Sequence, residues 1–226
     1  MVATPLRRSP LHARLEGLGA HFSTTADALV AEGLGTADPL RLAIADLSAL
    51  PRLGFKGRGT IPAMQARGVV VEGEPNRAFR QADGGLCLVL APGEVILLGP
   101  LSGEGARLDA LLAGWRIEDE ERTYPLLRRD SHAWFAITGG EAPAMFAKIC
   151  GIDLRLHKFA DLSIAQTSVA KLTGIVTRAE IGATPVFHLL ADSASADYCL
   201  TCLLDAADEF GGGLVGIDAV RSLAGT

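Results

Sequence analysis

The chain has 226 residues, 49 % of them hydrophobic and 21 % charged, with a formal charge of -5. That balance is enough to bury a sizeable core and excludes disorder over most of the length. Without a long basic stripe, the negative charge also excludes general attraction to nucleic acid or to an anionic membrane surface. No apolar run reaches the ~18–20 residues of a spanning helix. The opening Met1-Val2-Ala3-Thr4-Pro5-Leu6-Arg7-Arg8 lacks the apolar centre of a secretory signal. A cytoplasmic chain with its four cysteines reduced is therefore expected.

Residues 1–40 are rich in small residues, glycine and threonine. They read as a partly ordered arm with one short helix over 26–32, which needs a neighbouring surface to offset its ordering entropy. Residues 42–47 and 53–56 read as short strands broken at Leu50 and Pro51. A helix then starts near Thr60, takes Pro62 in its first turn and ends at Gly68. The apolar runs 86–90 and 95–98 flank Ala91-Pro92-Gly93-Glu94, which places proline and glycine where a type II turn takes them. This predicts a hairpin covered on both faces, by the core alone or by the core and a partner. Leu108, Leu111, Leu112 and Trp115 share one helical stripe, so Trp115 reads as a core anchor.

In the second half, Ala133, Phe135 and Ile137 alternate along a strand. Ala142, Met145 and Ile149, with Ile152 beyond them, share a helical face that Gly151 ends. Residues 163–171, 175–178 and 186–190 read as strands, and Ser193 or Ser195 caps a last helix. That helix carries Leu200, Leu203, Leu204 and Ala207 on one stripe and stops at glycines 211–213. Val215, Ile217, Val220 and Leu223 are placed to pack on the body or on another subunit. The strand, glycine and helix of 55–68 recur at 135–151, with Pro62-Ala63-Met64 matching Pro143-Ala144-Met145. Two related α+β units are expected, without the strict alternation of a parallel sheet. The division is an arm (1–40), a first α+β unit (41–127), a second (128–213) and a tail (214–226).

The search for chemistry returns little. Cys199 and Cys202 form a C-x-x-C inside a helix with no companion pair, which favours structural burial over zinc or redox work. Cys87 and Cys150 read as small core residues. Asp130-Ser131-His132 has the residue types of a triad, but triad members meet through the fold, and neighbours on a strand point apart. His157 sits in a loop and His188 reads as a satisfied core imidazole. Gly57-Arg58-Gly59 stands between a strand and a helix, where an anion-binding turn would sit, but lacks the spacing of a phosphate loop. Arg116, Arg122, Arg128 and Arg129 interleave with Glu118, Asp119, Glu120 and Glu121, a solvated mixed-charge surface. No catalytic, cofactor-binding or metal-binding residue is assigned.

One resemblance joins these features. Asp46-Leu47-Ser48, Pro51-Arg52-Leu53-Gly54-Phe55-Lys56-Gly57, Glu74-Pro75-Asn76-Arg77-Ala78 and Ala91-Pro92-Gly93-Glu94-Val95-Ile96-Leu97-Leu98 occur in that order. Asp130-Ser131-His132-Ala133, Ile137-Thr138-Gly139, Cys150-Gly151-Ile152-Asp153-Leu154, Phe159, Ala165-Gln166-Thr167 and the helix end at 205–210 follow. Over residues 42–211 the chain resembles the gamma subunit family of heterotetrameric sarcosine oxidase. The resemblance implies an α+β fold of the folate-binding aminomethyltransferase T-protein type. It also implies a non-catalytic subunit of a flavoenzyme complex that demethylates an N-methyl amino acid and passes the methylene group to tetrahydrofolate. The alpha, beta and delta chains would be the partners, with FAD, FMN, NAD and tetrahydrofolate held there and none here. Similar chains serve N-methylglutamate dehydrogenase, and a stand-alone folate-binding protein is the other alternative. The wider family's carboxylate motif is not recovered in 73–79, where Asn76 reads as a turn residue.

Overall fold

The computed structural model describes residues 6–116 and 122–225. Helix α1 (His12–Gly17) precedes a hairpin of β1 (His21–Thr25) and β2 (Ala28–Gly33). Strands β3 (Ala43–Asp46) and β4 (Arg52–Gly57) lead into α2 (Thr60–Ala66). A meander of β5 (Arg77–Arg80), β6 (Leu86–Ala91) and β7 (Glu94–Leu98) follows, then α3 (Ala106–Ala113) and β8 (Thr123–Leu126). The second half runs β9 (His132–Thr138), α4 (Ala142–Ile149), β10 (Ile164–Val169), β11 (Leu172–Arg178), β12 (Val186–Asp192) and α5 (Ala196–Asp208). Strand β13 (Gly213–Leu214) and helix α6 (Ile217–Ser222) complete it.

Two sheets carry the fold, ordered β5-β6-β7-β4-β8 and β10-β11-β12-β9-β3-β13. All neighbours are antiparallel except β13, which runs parallel to β3. Each sheet has a central strand, a helix and a three-strand meander returning beside the centre, with an outer strand on the far side that follows the meander in the first sheet (β8) and precedes the central strand in the second (β3). The expected repeat is therefore visible in the topology, although β3, which a division at residue 41 gives to the first unit, belongs to the second sheet. The repeat extends to a glycine after each central strand. Gly57 and Gly139 have φ of 151° and 100°. A Cβ at Gly57 would stand 1.8 Å from the Arg122 carbonyl oxygen, and one at Gly139 2.3 Å from that of Arg41. In both units the chain entering the outer strand crosses directly over the glycine, leaving no room for a side chain.

The inner strands β6, β7, β9 and β12 are apolar on both faces because each sheet is covered on both faces. Phe55, Cys87, Val89, Val95 and Leu97 pack under α2 and α3 with Met64, Leu108 and Trp115. Phe135, Ile137, Val176, Phe187 and Leu189 pack under α4 and α5 with Phe146, Leu200 and Leu203. The opposite faces meet in a shared inner layer, where Leu86, Leu88, Ile96 and Leu98 face Ala43, Ala45, Trp134, Ala136, Val186 and Leu190. The layers are thus helices, sheet, sheet, helices. Where the sheets touch edge to edge, Asn76 has φ 61° and its carbonyl accepts from the Ile164 amide at 3.0 Å. Its side chain accepts from Gln166 at 2.9 Å, so this residue joins two sheets rather than simply turning a loop.

Several local expectations change. Residues 28–33 are strand, not helix, because Ala26 takes φ 51° in a two-residue turn and pairs Thr25 with Ala28. The alanines here win no helix because hairpin pairing and burial of Val30 and Ala31 override propensity. Helix α1 lies earlier and buries His12 and Leu15, with Leu11 buried at its N-cap. Gly93 does not take the positive φ of a type II turn. Its small size matters instead, since a Cβ would stand 2.6 Å from the Gly57 carbonyl oxygen. The run 163–171 is broken by Ala170 and Lys171, at φ 50° and 63°, which make the tight turn from β10 to β11. Ser195 stands at the N-cap of α5 but makes no side-chain capping bond, and Asp192 caps the preceding 3-10 turn 193–195 by accepting from the Ala194 amide at 2.8 Å. Ile152 is exposed. Val215, Ile217, Val220 and Leu223 pack into the inner layer of this chain. Glu118 to Glu121 lie outside the described residues, while Arg128 pairs with Glu94 at 3.0 Å and Arg129 with Asp27 at 2.9 Å.

The repeated glycines lead to a direct test. Gly57→Ala and Gly139→Ala should each lose roughly 1–3 kcal/mol or more in urea unfolding, as forced left-handed backbone meets a carbonyl. Gly151→Ala, where no neighbour lies within 4 Å, should change stability by less than about 0.5 kcal/mol.

Candidate functional site

A cavity of about 380 Å³ is lined by residues of both sheets. Strand ends and turns of the first sheet supply Arg80, Asp83, Leu86 and Leu98, and the segment 99–102 continues the wall. The second sheet supplies Trp134 and His188, with 179–181 at the rim. His188 is directly opposite Ala136 in the β9–β12 register, which turns its ring into the inner layer. That placement explains an imidazole on an otherwise apolar strand face.

Trp134 and His188 form the polar centre of the cavity. The indole Nε1–H of Trp134 donates to His188 Nδ1 at 3.1 Å. An accepting Nδ1 requires the neutral ring with its proton on Nε2. Burial, with a smaller contribution from Arg80, pushes the His188 pKa down to about 4. The ring is therefore a neutral donor near neutral pH rather than a general base poised to titrate. The charged groups of the rim are already engaged. Arg80 pairs with Asp161 at 2.9 Å and donates to the Glu180 carbonyl at 2.7 Å. Glu180 accepts from Arg178, while Asp83 pairs with Arg107 at 3.4 Å and accepts from the Gly85 amide at 2.9 Å. The cavity can hold a flat or apolar group and offer one imidazole N–H, but presents no carboxylate free of a cation.

The residues singled out in the sequence fall elsewhere. Ser131 precedes β9, so its hydroxyl does reach His132 Nδ1 at 2.7 Å, contrary to the expectation that the two side chains point apart. No triad results. Asp130 pairs with Arg7 at 2.6 Å, and burial followed by Arg128 and Arg52 pushes the His132 pKa down to about 4. In the Gly57-Arg58-Gly59 turn the Gly57 amide is spent on the Gly93 carbonyl at 2.8 Å, and Thr60 caps the Gly57 carbonyl at 2.9 Å. Cys87 and Cys199 are sealed in the core, and burial pushes both thiols up to about 12. Among the described residues no three histidine, cysteine or acidic side chains gather as a metal site. Also among these residues, no helix is long and apolar enough to cross a membrane.

Sequence order alone did not single out Trp134, Arg80 or Asp83, since nothing in their local patterns brings them to one cavity. His188 had the one available signal, a titratable ring amid a strand apolar on both faces.

No protein-family model and no curated protein matches the chain. Solved structures do. A chain of heterotetrameric sarcosine oxidase from Corynebacterium sp. U-96, in complex with pyrrole 2-carboxylate, aligns with a TM-score of 0.67 at 20 % identity. The alignment covers 90 % of this chain and 96 % of that one. Aminomethyltransferase T of the glycine cleavage system from Bartonella henselae aligns with a TM-score of 0.72 at 16 % identity. It takes in 97 % of this chain but only 62 % of the T protein.

The cavity makes a prediction about acid. A histidine whose folded pKa lies below its unfolded value stabilises the fold above about 6.5 and loses that contribution as pH falls towards about 4. Urea midpoints measured between these limits should fall as pH falls, and His188→Gln should flatten that acid limb. An unchanged slope in the variant would remove His188 from the account. Taken with the alignments, the chain has the α+β fold shared by aminomethyltransferase T proteins and a chain of heterotetrameric sarcosine oxidase.

Proposed function

We propose that this chain is a non-catalytic, gamma-type subunit of a sarcosine oxidase-like flavoenzyme assembly. Alpha, beta and delta chains would be its partners. They would carry FAD, FMN, NAD and tetrahydrofolate, oxidatively demethylate an N-methyl amino acid and pass the methylene group to the folate. The observation that carries this reading is end-to-end correspondence: 96 % of one chain of a heterotetrameric sarcosine oxidase is matched, against 62 % of a T protein. The paired charges around the cavity agree with it, since an acid or base for methylene transfer needs a proton-accepting group free to act. N-methylglutamate dehydrogenase would use a chain of the same kind, and a cytoplasmic location goes with either assembly.

A second reading is a folate-binding protein acting alone, favoured by the cavity itself. Its volume falls within the range of ligand pockets. The Trp134 and His188 pair of one sheet, with Leu86 and Leu98 of the other lining the same cavity, fits a flat heterocycle that needs one donor. Bound tetrahydrofolate would supply a one-carbon acceptor, while these side chains would bind and orient it. The absence of an unpaired carboxylate at the cavity argues against catalysis of the transfer itself.

Affinity purification of the tagged chain from its native host separates the readings. Co-purification of larger chains with flavin absorbance is the expected result. A lone, folded monomer would overturn the subunit reading. In that case, saturable quenching of tryptophan emission by tetrahydrofolate, lost in His188→Leu, would establish the second.

A further inference from the structure

A second cavity, of about 490 Å³, lies between β4, α3 and the link from β8 to β9. Leu53 of β4 lines it together with Leu108 and Leu112 of α3, and Leu127 lines it from the link. Leu127 is 75 % exposed, more than any other large apolar residue among those described. A single exposed leucine needs no explanation. One that shares a recess with three further leucines makes an apolar surface suited to a partner's side chain.

Charge is layered around this recess, with arginines inside and acids outside. The side chains of Arg7 and Arg129 are 19 % and 33 % exposed, those of their partners Asp130 and Asp109 77 % and 65 %. Arg7 reaches Asp130 Oδ1 at 2.6 Å and Arg129 reaches Asp109 Oδ1 at 3.6 Å. Oδ2 of each acid has no hydrogen bond or ion pair among the described residues. Arg52 also belongs to the wall. Its Nε and Nη2 are taken by the carbonyls of Arg128, Arg129 and His132, and its Nη1 is buried without a partner among the described residues.

We propose that this recess docks a basic segment of a partner protein through a large apolar side chain. The side chain enters between Leu53, Leu108, Leu112 and Leu127, and a flanking lysine or arginine reaches Asp109 and Asp130. An apolar anchor inside a charged rim is the usual anatomy of a protein contact. The formal charge of -5 favours a cationic partner at longer range as well. An acidic segment would bring its carboxylates against two others. A second copy of this chain, docked face to face, would do the same with its own Asp109 and Asp130. The backbone of a docked segment also carries carbonyl oxygens, the kind of acceptor that Arg52 Nη1 lacks. If the proposed function holds, the segment belongs to one of the larger chains, but the chemistry of the docking site does not depend on that.

The test puts the photo-reactive residue p-benzoylphenylalanine in place of Leu127 in the full chain, irradiates it in the native host and sequences the cross-linked peptide by mass spectrometry. The expected peptide comes from another protein, is attached at or beside an apolar residue, and carries lysine or arginine close on either side. Its yield should fall severalfold in raised salt and with Asp109→Lys, a change at an exposed position whose effect on folding circular dichroism checks. The same probe at Val70, exposed but outside the recess, should not capture it. No cross-link at 127, capture of a second copy of this chain, or a captured peptide without basic residues would overturn the proposal. Flavin-bearing chains that co-purify while position 127 captures nothing would leave the subunit reading standing and remove the docking site. A basic segment captured from a protein without flavin would do the reverse.

Discussion

The apolar layer between the two sheets is the constraint on which the rest of the molecule depends. Both sheets also carry helices on their outer faces, so nearly every strand must be apolar on both sides. Each large aliphatic side chain moved into such a layer contributes about 1.5–3 kcal/mol, which makes its completion a strong demand on the flanking segments. The β1–β2 hairpin meets it with Ala28 and Val30, and α6 with Ile217, Val220 and Leu223. Arg221 holds α6 in place, with 2.7 Å to Glu32 and 2.9 Å to the Leu101 carbonyl. Both ends of the described chain thereby become part of one core.

Polar groups are buried where the halves are joined, and each has a structural task. Arg52, 4 % exposed, donates to the carbonyls of Arg128, Arg129 and His132 and so clasps the link between β8 and β9. Burial first, then repulsion from Arg7, lowers its pKa to about 10. Arg7 reaches the Ala49 carbonyl and Asp130, binding the N-terminal segment to the same corner. Asp46 accepts from Ser9 and from the Ser48 amide, although burial still raises its pKa. Carbonyl and hydroxyl partners meet most of the requirement that buried polar groups be bonded, although Arg7 Nε and Arg52 Nη1 are buried without a hydrogen-bond partner among the described residues.

The same economy describes the chemistry of the surface and cavities. The strand histidines His132 and His188 are held neutral, two thiols are sealed, and the acids around the inter-sheet cavity face cations.

Taken alone, the sequence determined much of the local structure. Strand and helix periodicities placed β4, the β6–β7 hairpin, α4 and α5, because side-chain burial imposes a period of two on a strand and 3.6 on a helix. The similarity of 55–68 to 135–151 showed a repeated unit, since the same glycine and the same helix start recur in each. Tertiary structure decided the rest. It made 28–33 a strand, because pairing with β1 and burial outweighed alanine's helical preference. It placed β3 in the second sheet and assembled the cavity from residues as far apart as Arg80 and His188. Proximity of that kind comes from how packed layers stack and where strands return, and a linear pattern records the face a residue occupies but not what stands opposite it.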